Sequence, residues 1–227
     1  MIANKKEFSL GLGLFAGFWV LFVILMSPVF AGKNLLDYMD NLYNMISKKS
    51  SYYIPDVQKN LADYKGQQVS FSVKAKGEQV ARLTKMLQAG GATVKADGEK
   101  LKVSGDLAAI VENALADCET MFKNDGKAIV AKYGSEERAV LNDWEEAFKA
   151  AEKEMNKNSK YKEGKIFNKA QTKAIEPAYN YYGIESVPIK EKWGTVVISL
   201  VGYVIYTLWF GFSILFMFEG WGMKLEH

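Results

Sequence analysis

Histidine and cysteine are almost missing from this chain. Its 227 residues include one cysteine, Cys118, and one histidine, His227, the last residue. A single cysteine excludes an intramolecular disulfide, so a folded domain here must rely on its core. There is no CxxCH for covalent haem, and no Cys or His cluster for zinc or an iron–sulfur centre. No Ser-His-Asp or Cys-His arrangement can be assembled. No GxxxxGK[ST] occurs, and no GxGxxG follows a strand. Gly11-Leu12-Gly13 lies inside an apolar run. The expectation is a chain that is not an enzyme and carries no metal or cofactor. The terminal Leu225-Glu226-His227 reads equally as native or as the remnant of a cloning junction and tag. In the second case the natural protein has no histidine.

Charge is missing from two stretches. The first, Phe8 to Met26, runs 19 residues, and its apolar character continues through Pro28 to Ala31. Lys5, Lys6 and the small-residue exit Val29-Phe30-Ala31 before Gly32 give it the chemistry of an export signal. A signal core is roughly 7–15 residues, whereas a helix crossing a hydrocarbon layer about 30 Å thick needs about 20. The run therefore reads as an uncleaved signal-anchor. The second stretch, Gly194 to Phe218, has 25 uncharged residues. Trp193 and Trp221 bracket it at the positions where indoles favour the membrane interface.

The sequence thus predicts an α+β membrane protein. Its parts are a tail (1–7), transmembrane helix 8–31, an extracytoplasmic α+β domain (32–193), transmembrane helix 194–218 and a tail (219–227). Two spans put both termini on one side. The signal-like first helix favours cytoplasmic termini and a periplasmic domain, as in a bacterial inner membrane. The flanking charges add little, with Lys5 and Lys6 against Glu7, and Lys224 against Glu219 and Glu226. A net charge of +3 argues against a nucleic-acid partner.

Within the domain, helical spacing of Leu35, Leu36, Met39, Leu42, Tyr43 and Ile46 predicts a helix over 34–48. A short helix follows over 55–64, with Pro55 in its first turn. Val69, Phe71, Val73 and Ala75 then alternate with polar residues, a half-buried strand. Next come helix 78–89, stopped by Gly90-Gly91, and strands 92–96 and 100–104 about the Asp97-Gly98 turn. Asp106 caps a helix whose inner face is Leu107, Ile110, Val111, Ala114, Leu115, Cys118, Met121 and Phe122. Segment 127–133 reads as a strand or a helical piece. Ser135 is expected to cap a long helix bearing Leu141, Trp144, Phe148, Ala151 and Met155, and a last helix is expected to end at Pro177.

The order strand, helix, strand, strand, helix resembles most of a ferredoxin-like α/β sandwich without a clear final strand. The likeness covers about 60 residues and implies a fold only, since that fold serves many functions.

Several features are candidates for function. Gly13 and Gly17 form a GxxxG, Thr207 and Gly211 a second small pair, and Ser199 with Gly202 a flat patch; such residues let membrane helices approach closely. Glycine is also simply common in membrane helices. Tyr52, Tyr53, Tyr179, Tyr181 and Tyr182, with Trp193 and Trp221, are candidate interface residues, ordinary core packing being the other reading for the tyrosines. The lysines between Lys149 and Lys173 offer a patch for anionic lipid or an acidic partner, but they alternate with Glu152, Glu154 and Glu163 and read rather as a solvated face. Asp117, Glu119, Asp143, Glu145 and Glu146 read as surface charge.

No ionisable side chain lies within either span, which argues against a transporter. With about eight residues after the second span there is no output domain, which argues against a sensor. The expected function is an accessory or scaffolding subunit of a larger membrane complex, its partners being other subunits or copies of itself. The alternative is a homo-oligomeric assembly, either a pore or one resembling polysaccharide chain-length regulators. Those share the anchor–domain–anchor plan but usually carry prolines at the second anchor. Here Pro188 lies just before it and none lies inside.

Overall fold

The computed structural model describes residues 2–223. Lys224 and the Leu225-Glu226-His227 terminus lie outside the described residues. The chain divides into two units, one of Met1–Ile46 with Val187–His227 and one of Ser47–Ser186.

The first unit is built on two helices long and apolar enough to cross a membrane, α1 (Lys5–Met26) and α10 (Ile189–Trp221). Asn4 caps α1, its side chain accepting from Lys6 N at 3.1 Å. The helix was expected to reach Ala31 but ends at Met26. Pro28 forces the residue before it out of the helical region, and Ser27 is extended, its hydroxyl turning back to the Val23 carbonyl at 2.7 Å. Phe30 and Lys33 then exchange backbone hydrogen bonds around Ala31 and Gly32, both at positive φ. Helix α2 (Leu35–Ser50) follows, with Asn34 accepting from Asp37 N at 2.8 Å. At about 1.5 Å per residue α10 is about 50 Å long, well beyond a hydrocarbon core of about 30 Å.

The second unit carries a mixed fold. Its elements are α3 (Ile54–Lys59), β1 (Gln68–Lys74), α4 (Glu78–Ala89), β2 (Thr93–Asp97), β3 (Lys100–Asp106), α5 (Leu107–Phe122), α6 (Gly126–Tyr133), α7 (Glu137–Lys157), α8 (Tyr161–Ala170) and α9 (Glu176–Asn180). The strands form one antiparallel sheet in the order β1-β3-β2. Val69 pairs with Gly105, Phe71 with Val103, and Val94 also with Val103. Strand alternation decides which face is covered: Val69, Phe71, Val73, Leu101 and Val103 are buried, while Ser70, Ser72, Lys102 and Ser104 are exposed. Each large apolar side chain so buried contributes about 1.5–3 kcal/mol.

Helix α5 is the axis of the core. Asp106 caps it, accepting from Ala109 N at 2.8 Å, and all eight expected inner-face residues are buried. Trp144, Phe148, Phe167 and Phe71 continue the core as a chain of edge-to-face ring contacts.

One open local expectation is decided and two are corrected. Segment 127–133 is helical, part of α6, because Asp125 caps it at Ala128 N and Gly134 stops it at a φ of 72°. The long helix α7 is capped by Glu136, whose side chain accepts from Ala139 N, rather than by Ser135. The last helix passes through Pro177. Between α8 and α9 a π-turn, Gln171–Ile175, pairs Glu176 N with the Gln171 carbonyl. That wider turn lets Pro177 sit in the first turn of α9, where its missing N–H costs nothing.

Candidate functional site

In the first unit, α1 and α10 run antiparallel. Asn4 N donates to the Gly220 carbonyl at 2.9 Å, and Trp209 Nε1 donates to the Leu14 carbonyl at 2.9 Å. Phe18 lies 4.5 Å from Tyr206 and 4.8 Å from Phe210, centroid to centroid. The closest approach falls at two glycines outside the expected set. A Cβ on Gly11 would lie 2.6 Å from Met217 N, and one on Gly220 would collide with the backbone of Phe8. Of the candidate small residues, a Cβ on Gly17 would meet the Trp209 ring at 3.3 Å, whereas one on Gly13, Gly202 or Gly211 would have nothing within 4 Å. Ser199 Oγ is 2.7 Å from the Tyr43 hydroxyl and donates to the Val196 carbonyl. Thr207 turns its hydroxyl onto Tyr203 and Val204 of its own helix. Trp193 and Trp221 are 66% and 57% exposed, with Trp221 edge-on to Phe8. The pair thus uses one side of each helix and leaves Gly13, Gly202 and Gly211 facing outward.

In the second unit the candidate tyrosines are held by neighbours. The Tyr52 ring lies tilted 5.2 Å from that of Phe122, and its hydroxyl donates to Glu119 at 2.6 Å. Burial and the Glu119 carboxylate push its pKa up to about 12. Lys173 lies over the Tyr53 ring at 4.9 Å. Tyr179 and Tyr182 both face the Arg138 guanidinium, at 5.2 and 5.4 Å. Tyr181 is half-buried, its N–H on the Pro177 carbonyl.

An open cleft of about 490 Å³ lies beside Tyr52, walled by Lys48, Glu119, Phe122, Lys123 and Asn124. Lys48 is buried at its edge. Its Nζ donates to Asn124 Oδ1 at 2.8 Å and to the Ile184 carbonyl at 2.6 Å, and sits 5.1 Å from the Phe122 ring centre. Burial lowers its pKa. The charge lies at the carbonyl ends of α2 and α5, where a cation is favoured. Asn124, in the left-handed region at a φ of 62°, also accepts from Gly183 N and donates to Ile184 O. Lys48 and Asn124 therefore clamp the loop at 183–184.

Two carboxylates expected on the surface are in the core. Asp117 is 1% exposed and Asp143 fully buried. Asp117 accepts from Tyr133 OH at 2.7 Å, Trp144 Nε1 at 2.8 Å and Lys132 Nζ at 2.7 Å. Burial, then the carboxylate, raise the Tyr133 pKa. Asp143 pairs with Arg82 and accepts from Gln79 at 2.9 Å; the hydrogen bond to Asp143 raises the Arg82 pKa. Glu119, Glu145 and Glu146 lie nearer the surface, in pairs with Lys123, Lys149 and Gln79. The Cys118 thiol is buried, and burial followed by Asp117 holds its pKa well above the ordinary value. It is a packed thiol and not an activated nucleophile. Among the described residues no group of His, Cys, Asp or Glu is arranged to hold a metal ion.

Comparison of the chain with protein-family models, curated proteins and solved structures returns no match.

Proposed function

We propose that this chain is a non-catalytic accessory subunit of a larger membrane complex. Helices α1 and α10 cross the bilayer as an antiparallel hairpin and hold partner subunits through their outward sides. The observation that carries this reading is the division of small residues in the hairpin. Gly11 and Gly220 are consumed by the α1–α10 contact, while Gly13, Gly202 and Gly211 present flat, open backbone to whatever lies outside it. In lipid, helix association depends on such close approach.

On this reading the start of α1 and the end of α10 share the cytoplasmic side, and Ser47–Ser186 forms an extracytoplasmic interaction domain. Its sheet belongs to a ferredoxin-like unit that ends after the second helix. The buried carboxylates serve the domain's own cohesion, since Asp117 and Asp143 are spent on donors from neighbouring helices.

Gentle detergent extraction followed by native mass analysis tests the reading. Co-migration with different subunits supports it. A ring of identical copies would favour the homo-oligomeric alternative, and a lone monomer would sink both.

A further inference from the structure

The sheet stops abruptly at β2. In the order β1-β3-β2 this strand has a partner on one side only, and its outer edge makes no backbone hydrogen bond to any described residue. Thr93, Lys95, Ala96 and Asp97 are exposed and Val94 is only half-buried. The edge presents two different chemistries. On the covered face, the row Val103–Val94 and the row Leu101–Ala96 run outward and end in Val94, half-buried against the core, and in exposed Ala96. On the open face, Lys95 stands directly opposite Lys102, with Ser72 beyond. Like charges directly opposite one another are destabilising in a sheet. Lys102 is relieved by Asp97 at 2.8 Å, and Lys95 has no ion pair among the described residues.

We propose that the β2 edge takes an extended segment of a partner subunit by strand addition, apolar at the positions beside Val94 and Ala96 and acidic at the position beside Lys95. Strand addition draws affinity from main-chain hydrogen bonds and specificity from alternate side chains. An acidic residue at that position extends the row Ser72–Lys102–Lys95 with the countercharge it lacks. A second copy of this chain fits poorly. Full antiparallel overlap of two β2 strands sets Lys95 against its own copy and lines up four ammonium groups with the flanking Lys102 side chains. A shifted pairing that offers Asp97 instead competes with Lys102 for that carboxylate and loses rungs. An outward lysine is also a common guard of an open edge against like sheets, so the same charge that repels copies selects an acidic strand.

The inference rests on the subunit reading above, but its test needs no native partner, so the two can fail separately. The probe is a capped peptide with the core Lys-Val-Glu-Val-Thr, written to pair antiparallel with residues 97 to 93. It is titrated onto the full chain in detergent and followed by amide hydrogen exchange. The expected result is slowed exchange within residues 93–97 and none at β1, with no binding of the Lys-Val-Lys-Val-Thr control. Lys95→Glu is expected to weaken the first peptide by roughly fivefold or more, losing one cross-strand pair and gaining a repulsion, and to admit the control. Binding indifferent to Lys95→Glu, or protection away from β2, overturns the proposal. So does β2 protection that grows with protein concentration in the absence of peptide, which would make a second copy the occupant.

Discussion

Asp117 gathers an indole, a phenol and an ammonium onto one buried carboxylate. Asp117→Ala strands all three donors, including the Lys132 charge, and is expected to destabilise the domain by about 3–5 kcal/mol. Denaturant unfolding of the extracted protein, followed by Trp144 fluorescence, measures it. Tyr52 offers a test by pH. Its folded pKa of about 12 lies above the ordinary value of 10.0, so the folded state holds the phenolic proton more tightly. The stabilisation is complete below pH 10 and disappears as pH rises through 12. Tyr52→Phe keeps the ring on Phe122 and should flatten that part of the alkaline stability profile; an unchanged slope would mean that folding does not raise the Tyr52 pKa. Both carboxylates were misplaced by reading charge alone. Asp117 lies three residues after Ala114, and Asp143 three after Val140 and four before Ala147. Helical spacing thus puts them on the apolar stripe, a signal that was legible. Lys48 had no such signal, because its acceptors come from residues 124 and 184, far along the chain.

At the scale of elements, period and punctuation carried most of the fold. The alternation from Val69 to Val73, the Asp97-Gly98 turn and the Asp106 cap place β1, the hairpin and α5 within a residue or two of where they lie. What stays open or is misread turns on context. The apolar run at 127–133 suits either period, and only the Asp125 cap and Gly134 decide for helix. Pro177 reads as a stop, and a π-turn defined by packing lets the helix through. Contacts between the two apolar helices were illegible for a related reason. Gly11, Gly13 and Gly17 look alike in sequence, and only the register against α10 separates them. Gly11→Leu is therefore expected to lower the thermal midpoint of the extracted protein and to loosen α1 amide exchange, because the Met217 backbone cannot retreat. Gly13→Leu, with open space around it, should leave both unchanged.

For the whole molecule, the proposed function gives the two units different work: the hairpin seats the chain among partners in lipid, and the domain holds its shape by a dense core. Gly202→Leu and Gly211→Leu should leave folding and the α1–α10 contact intact while reducing the amount of partner recovered on gentle extraction. Loss of both together would mean these positions support the hairpin itself. The most direct measurement is photo-crosslinking in native membranes from single positions on the outward side of α10. A photoreactive side chain at Ile198, 73% exposed, and another at Gly202 would report what lies against that face. The account expects discrete adducts with a different polypeptide from these positions. Adducts with lipid alone, or with further copies of this chain alone, would contradict it.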